Sequence, residues 1–167
     1  RWAVDRAASL QAELIADYEN FQFHQIYQKL HNFCAGDLGG FYLDVIKDRQ
    51  YTTRADSVAR RSAQSAMYHI GEALVRWIAP ILSYTAEEIW ENVPGARSPS
   101  VFLAEWYEHL PMPAGESSLD GTLDSAFWSQ MMSVRQQVNK ALELQRAEGA
   151  LRGSLDAAVT LYADTAL

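Results

Sequence analysis

Along most of this chain, apolar residues recur at steps of three and four, the period of an amphipathic helix. Ala3, Ala7, Leu10, Leu14 and Tyr18 predict a first helix over about residues 2–19. Ile26, Leu30, Phe33 and Cys34 begin a second stripe, which Phe41, Tyr42, Val45 and Ile46 resume after "GDLGG". Gly36, Gly39 and Gly40 fall between the two parts. Each costs about 1 kcal/mol against Ala in a helix interior, so a bend or thin point is expected there. Thr53 and Asp56 have the spacing of a capping box opening a third helix. That helix turns Ala66, Ile70, Ala73, Leu74, Trp77 and Ile81 inward until Pro80 disturbs its last turn. Thr85 and Glu88 repeat the capping signal before a short fourth helix in "AEEIWENV".

From Pro94 to Leu123 the pattern gives way to Pro, Gly and Ser around the aromatic run "VFLAEWY". This predicts a long connection, strapped to the helices by Phe102, Trp106 and Tyr107. Phe127, Met131, Val134, Val138, Ala141 and Leu142 predict a fifth helix over about residues 124–148. "SLDAAVTLYAD" then alternates in the manner of a strand. The expected fold class is all-α: an antiparallel helical bundle with a long aromatic-containing loop and a short β-type tail. The expected domains are a bundle over residues 1–150, including the loop 94–123, and the start of a truncated α+β subdomain over 151–167.

Composition narrows the class. The 167 residues suffice for one well-filled core. No apolar run approaches the roughly 20 residues of a membrane span. The chain opens on "RWAVDRAASLQ", without an initiating Met or a leader pattern, and reads as cut from something longer. Cys34 is the single cysteine, so an internal disulfide is excluded and a reducing, cytoplasmic compartment fits.

Candidate chemistry is sparse. On a wheel of about 100° per residue, Phe41, Tyr42, Leu43, Val45 and Ile46 share one arc, with Asp44, Lys47, Asp48 and Tyr51 opposite. Asp44 and Asp48 therefore face outward, where solvated carboxylates make poor acid–base pairs at neutral pH, and Lys47 can pair with Asp44. Arg49 falls inside the apolar arc and is expected to bury its stem. "YHIGEAL" (68–74) has the His-Ile-Gly of a nucleotide-binding signature, but mid-helix and with Glu72 in place of a second His, so His69 is expected to be packed. "GDLGG" lacks phosphate-loop spacing. His24, His31 and Cys34 are too few for a zinc site without further ligands. No catalytic residue, metal ligand or resident cofactor is expected within the chain.

Charge gives the one positive pointer. The formal net charge is −7, which argues against a surface that coats nucleic acid on all sides. Yet Lys47, Arg49, Arg54, Arg60 and Arg61 lie within fifteen residues alongside only Asp48 and Asp56. On the third helix, Arg61, Ser65, Tyr68 and Glu72 form a polar stripe opposite the core, by the same wheel of about 100° per residue. Lys47, Arg54, Arg60 and Arg61 are thus candidates for phosphate contact, and Tyr68 for stacking on a base. These features suit RNA binding or, with the charges merely solvated, a helical protein-interaction module.

Four segments carry a resemblance. "NFCAGDLGGFYLDVIKDRQYT" (32–52), "ADSVARRSAQSAMYHIGEALVRWIAPILSYTAEEIW" (55–90), "SVFLAEWY" (100–107) and "VRQQVNKALELQRAEGALRGSLDAAVTLY" (134–162) resemble the C-terminal region of the bacterial isoleucyl-tRNA synthetase family. The helix opening on "RWA" likewise resembles the start of that family's anticodon-binding domain. Gly39-Gly40 departs from the pattern, where a Ser or another small residue is expected. Related segments occur in the valyl and leucyl enzymes, which stay open as alternatives. The resemblance implies docking of the anticodon stem and loop of tRNA(Ile) by residues 1–150, beside the remaining domains of a cytoplasmic, monomeric ligase. It implies ATP and Mg²⁺ in the full-length enzyme, with the ATP signatures and editing domain upstream. Any C-terminal zinc module would lie beyond Leu167.

Overall fold

The first predicted helix forms where its apolar spacing places it. In the computed structural model, which describes residues 1–95, 97–110 and 125–162, α1 spans Trp2–Glu19 and buries Ala3, Val4, Ala7, Leu10 and Leu14. A tight turn at Asn20–Gln22, with Phe21 at φ 57°, reverses the chain into α2, Phe23–Asn32. The chain divides into two compact units, Arg1–Pro113 and Ala114–Leu167. The boundary expected at residue 150 falls inside the second.

The glycines do not interrupt the helix. The backbone stays helical through Phe33 (φ −63°, ψ −49°) and Tyr42 (φ −61°, ψ −48°), so α2 continues into a π-helix, Phe33–Tyr42, and then α3, Leu43–Tyr51. The Leu43 N–H donates to the Leu38 carbonyl, five residues back. This under-winding accounts for the burial of Ile46 and the exposure of Lys47. Measured from Phe33, an unbroken α-helix would place Ile46 about 220° round and Lys47 about 320°, close to the core face. At about 4.4 residues per turn through the π segment, Ile46 falls instead near 40° and Lys47 near 140°. Ile26, Leu30 and Phe33 define the inward face, Leu38 and Tyr42 pack against the same core, and Ile46 is also buried. Leu43 and Val45, assigned to the core by the uniform wheel, are exposed.

Helix α4, Val58–Ile78, returns alongside. Its cap differs from the predicted box. Ser57 Oγ accepts from the Arg60 N–H and donates to Thr53 Oγ1 at 3.2 Å, while Asp56 pairs with Arg54 at the surface. Ala66, Ile70, Ala73 and Trp77 are buried as predicted and Leu74 is half-buried. Ile81 lies past the helix end and is exposed. Helix α5 spans Ser83–Asn92. It starts ahead of the Thr85 signal, and its Ser83 hydroxyl donates to the Ala79 carbonyl at 3.0 Å.

Trp77 joins three parts of this unit. It is fully buried, its ring meets Phe33 at 6.0 Å, and its indole N–H donates to Gln11 Oε1 at 2.8 Å. Gln11 Nε2 in turn donates to the Tyr107 carbonyl at 3.0 Å. The Tyr18 hydroxyl donates to the Trp77 carbonyl at 2.6 Å, so the C-terminal ends of α1 and α4 meet. Burial pushes the Tyr18 phenol up to about 12.

The connection after α5 lies over α4 as a strap. Val101, Tyr107 and Leu110 are its buried anchors, with a 3-10 turn at Val101–Leu103. Phe102, predicted as an anchor, is exposed, and Trp106 only leans on Tyr18 at 5.8 Å. Beneath the strap sits Glu72, 4% exposed. It accepts from Arg76 Nη1 and from Arg97 Nη2, each at 2.7 Å. The Arg76 guanidinium lies over Trp90 (4.7 Å) and Tyr107 (5.1 Å), and that of Arg97 over Trp90 (4.5 Å). Burial alone would raise the Glu72 carboxyl, but the two arginines outweigh it and hold it below the usual carboxylate range.

In the second unit, α6 spans Ser125–Ala147, matching the fifth predicted helix. The tail departs from expectation. Residues Ser154–Asp156 form a 3-10 turn and 157–162 run without regular structure. Among the described residues no strand forms, and 163–164 of the predicted strand lie outside them. An alternating sequence stays irregular when no second strand accepts its backbone hydrogen bonds. Val134, Val138 and Leu142 of α6 line a groove of about 700 Å³ with Leu151, Val159 and Leu161.

Two outcomes follow for the first unit. Trp77→Ala should cost about 3–5 kcal/mol in urea unfolding, because the vacated volume also strands the Gln11 carbonyl oxygen. Glu72 is ionised below its unfolded-state range, so its contribution is present at neutral pH and lost as pH falls below about 4.3 through the folded value. Glu72→Gln should therefore lower stability at pH 7 by about 3 kcal/mol, the scale for removing one partner of a buried ion pair. The same unfolding series between pH 7 and 3 should show a flatter acid limb for the variant.

Candidate nucleic-acid interface

Four of the five sequence-predicted contacts, Lys47, Arg54, Arg60 and Arg61, lie on the segments that meet at the α3–α4 corner, and Tyr68 lies further along α4. The C-terminal turn of α3 and the first turn of α4 are joined by residues 52–57 and tied by Ser57 Oγ to Thr53. Lys47 is exposed on α3 and has no carboxylate within ion-pair distance; the predicted pairing with Asp44 does not form. Arg61 is exposed and likewise unpaired. Arg54 pairs with Asp56 at 3.0 Å, with the two side chains 85% and 70% exposed. A pair so open to water is weak and gives way readily to a phosphate.

Arg60 is different. It is half-buried, its Nη1 donates to the Thr53 carbonyl at 3.2 Å, and its Nε is buried without a hydrogen-bond partner. It therefore closes the end of α3 instead of facing solvent as a phosphate ligand. The sequence had no signal for this, because the Thr53 carbonyl becomes an acceptor only once the corner has formed.

Arg49 changes the other way. The uniform wheel sends it into the apolar arc, yet it is exposed and without an ion-pair partner. It joins Lys47 and Arg61 as a candidate that periodicity had removed. A signal for the register of α3 was available: Ile26, Leu30, Cys34, Leu38, Tyr42 and Ile46 follow one another at steps of four. Such a repeat drifts round a 3.6-residue helix and signals the under-winding that turns Ile46 inward, although Cys34 within it is exposed; it carries no signal for Arg49.

The polar stripe of α4 holds only over its first half. Ser65 is exposed, and Tyr68 is 40% exposed with its ring edge-on to His69 at 5.8 Å. Its hydroxyl lies beside the strap, 3.5 Å from where a Cβ on Gly95 would stand. Glu72, on the same face, is covered by the strap. His69 is packed as expected, its Nδ1 hydrogen-bonded to the Tyr107 hydroxyl at 2.6 Å. Tyr68 sits two turns from Arg61, about 10 Å along the axis.

Other cations of the first unit are engaged. Arg1 meets Asp5 (3.4 Å) and Arg6 meets Asp37 (3.0 Å). Lys29 meets Asp17 (2.6 Å), and Arg76 and Arg97 meet Glu72. Among the described residues of this unit, the cations without a carboxylate are Lys47, Arg49, Arg60 and Arg61. Positive charge among the described residues of this unit is thus left uncompensated at the α3–α4 corner and paired elsewhere. His31 stacks on Tyr27 at 6.0 Å. No three His, Cys, Asp or Glu side chains converge as metal ligands among the described residues.

Comparison with known proteins agrees with this picture of the bundle. The family described as the anticodon-binding domain of tRNA ligase matches residues 1–161. The isoleucine–tRNA ligase of Alcanivorax borkumensis is 59% identical over 164 residues, 98% of this chain. Those of Nitrosococcus oceani and Methylococcus capsulatus are 58% and 56% identical over the whole chain. The chain spans 17% of the length of these relatives. With the helical bundle and a match over nearly every residue in hand, the chain belongs to the family of anticodon-binding domains of tRNA ligases.

Proposed function

We propose that this chain is the tRNA-docking domain of an isoleucine–tRNA ligase, and that Lys47, Arg49, Arg54 and Arg61 hold the phosphates of the anticodon stem and loop of tRNA(Ile). The observation that carries this role is the concentration of uncompensated cations at the α3–α4 corner. Ammonium and guanidinium groups there release counterions from a phosphate backbone, while the acidic remainder repels it and so orients the approach. Tyr68, half covered by the strap, is a secondary candidate for stacking on an unpaired base.

Attachment of isoleucine to tRNA is then the work of the whole ligase, most of whose length lies outside this chain. ATP and Mg²⁺ would bind in those other domains, as would any zinc in a further C-terminal module. Free energy from the docked loop reaches the reaction only for tRNAs that fit, which raises selectivity rather than chemistry. The described residues contain no helix long and apolar enough to cross a membrane; the proposal takes the whole ligase to be cytoplasmic and monomeric.

Titration of tRNA(Ile) at two salt concentrations tests the role. Affinity should fall steeply as salt rises; absence of binding at both would favour a helical protein-interaction module instead. Arg61→Glu should weaken binding and reduce the log–log salt slope by about one, with the melting temperature unchanged. Arg60→Ala should do the reverse, costing about 1 kcal/mol of stability through the lost Thr53 bond while the salt slope holds.

A further inference from the structure

A ten-residue π-helix is an unusual solution, because runs of this hydrogen-bond pattern are rare and mostly single-turn. Two glycines favour it here. A Cβ on Gly39 would stand 3.2 Å from the Cys34 carbonyl oxygen, and one on Gly40 would stand 3.3 Å from that of Ala35. Both separations are shorter than ordinary van der Waals contact. In each case the crowded carbonyl lies five residues back, the acceptor position of a π turn. Gly36, in the same segment, has open space where its Cβ would be. Alanine is the preferred residue of an α-helix and glycine one of the poorest, so glycine at 39 and 40 permits the wide turn and also withholds a gain from tightening it.

The consequence reaches α3. The extra backbone in each turn rotates everything after Tyr42 by about half a revolution relative to a uniform α-helix. That rotation takes Ile46 into the core and Lys47 out of it. We propose that Gly39 and Gly40 are positioning residues for the RNA face: they keep Phe33–Tyr42 under-wound and thereby present Lys47 to tRNA phosphates. The proposal rests on the tRNA-docking role given above.

The test uses the 167-residue chain carrying Cys34→Ser, with Ile46→Cys or Lys47→Cys as the single thiol, and maleimide labelling as the readout. With both glycines present, the thiol at 46 should be protected and that at 47 reactive. With Gly39→Ala and Gly40→Ala together the order should reverse. The thiol at 46 should then label about tenfold faster, since a buried thiol reacts only through local opening. Gly36→Ala should leave the order intact. In chains retaining Lys47, the alanine pair should also lower the salt slope of tRNA binding by about one.

A folded alanine pair with the original labelling order overturns the proposal. So does a reversed order with undiminished tRNA affinity. If both thiols label fast and the far-UV circular dichroism collapses, Gly39→Ala alone is put through the same assay under the same criteria. Failure of the parent chain to bind tRNA would instead overturn the docking role, while the labelling order still decides whether the glycines set the register.

Discussion

Hydrogen bonds that reach back five residues instead of four, from Phe33 to Tyr42, are the constraint on which the rest of the first unit depends. A helix presents one face to its core, and the pitch of that face decides which side chains arrive there. Ile26, Leu30, Leu38, Tyr42 and Ile46 can share a face only if the turn widens partway along. Once it does, α2, the π segment and α3 act as a single rod whose apolar edge meets α1 and α4. The same rotation determines that Lys47 ends in water and Ile46 in the core. Fold and candidate site thus follow from one backbone choice.

Charge is organised around that scaffold. Arg1, Arg6 and Lys29 are neutralised by acids of α1 and by Asp37, and Arg76 and Arg97 by Glu72 beneath the strap. The strap's ion cluster is mostly removed from water and stacked on Trp90 and Tyr107, so it fixes residues 97–107 over α4 and is closed to a ligand. Lys47, Arg49 and Arg61 remain unpaired at the opposite end of α4, and Arg60 steadies the turn between them. The first unit can therefore offer an anion an approach at this corner without carrying a basic surface.

Much of this was legible in the sequence, and the failures share physical causes. The bounds of α1, the inward stripe of α4 through Trp77 and the fifth helix follow from local periodicity, and Tyr107 as an anchor from the aromatic run in the connection. Leu43, Val45 and Arg49 are misplaced because the wheel draws an apolar arc of about half a turn, whereas only Ile46 of α3 is buried. Glu72 was assigned to the open stripe because nothing local shows that Arg97, twenty-five residues later, covers it. Arg60 was counted as free because its acceptor exists only in the folded corner. Alternation alone predicts a strand in the tail, whereas a strand needs a neighbour to bond.

The most direct measurement is a through-hydrogen-bond coupling from the Leu43 amide in solution NMR. The under-wound rod predicts a coupling from the Leu43 N–H to the Leu38 carbonyl carbon, five residues back. A coupling to the Gly39 carbonyl instead would mean an ordinary α turn, and would contradict both the register of α3 and the placement of Lys47.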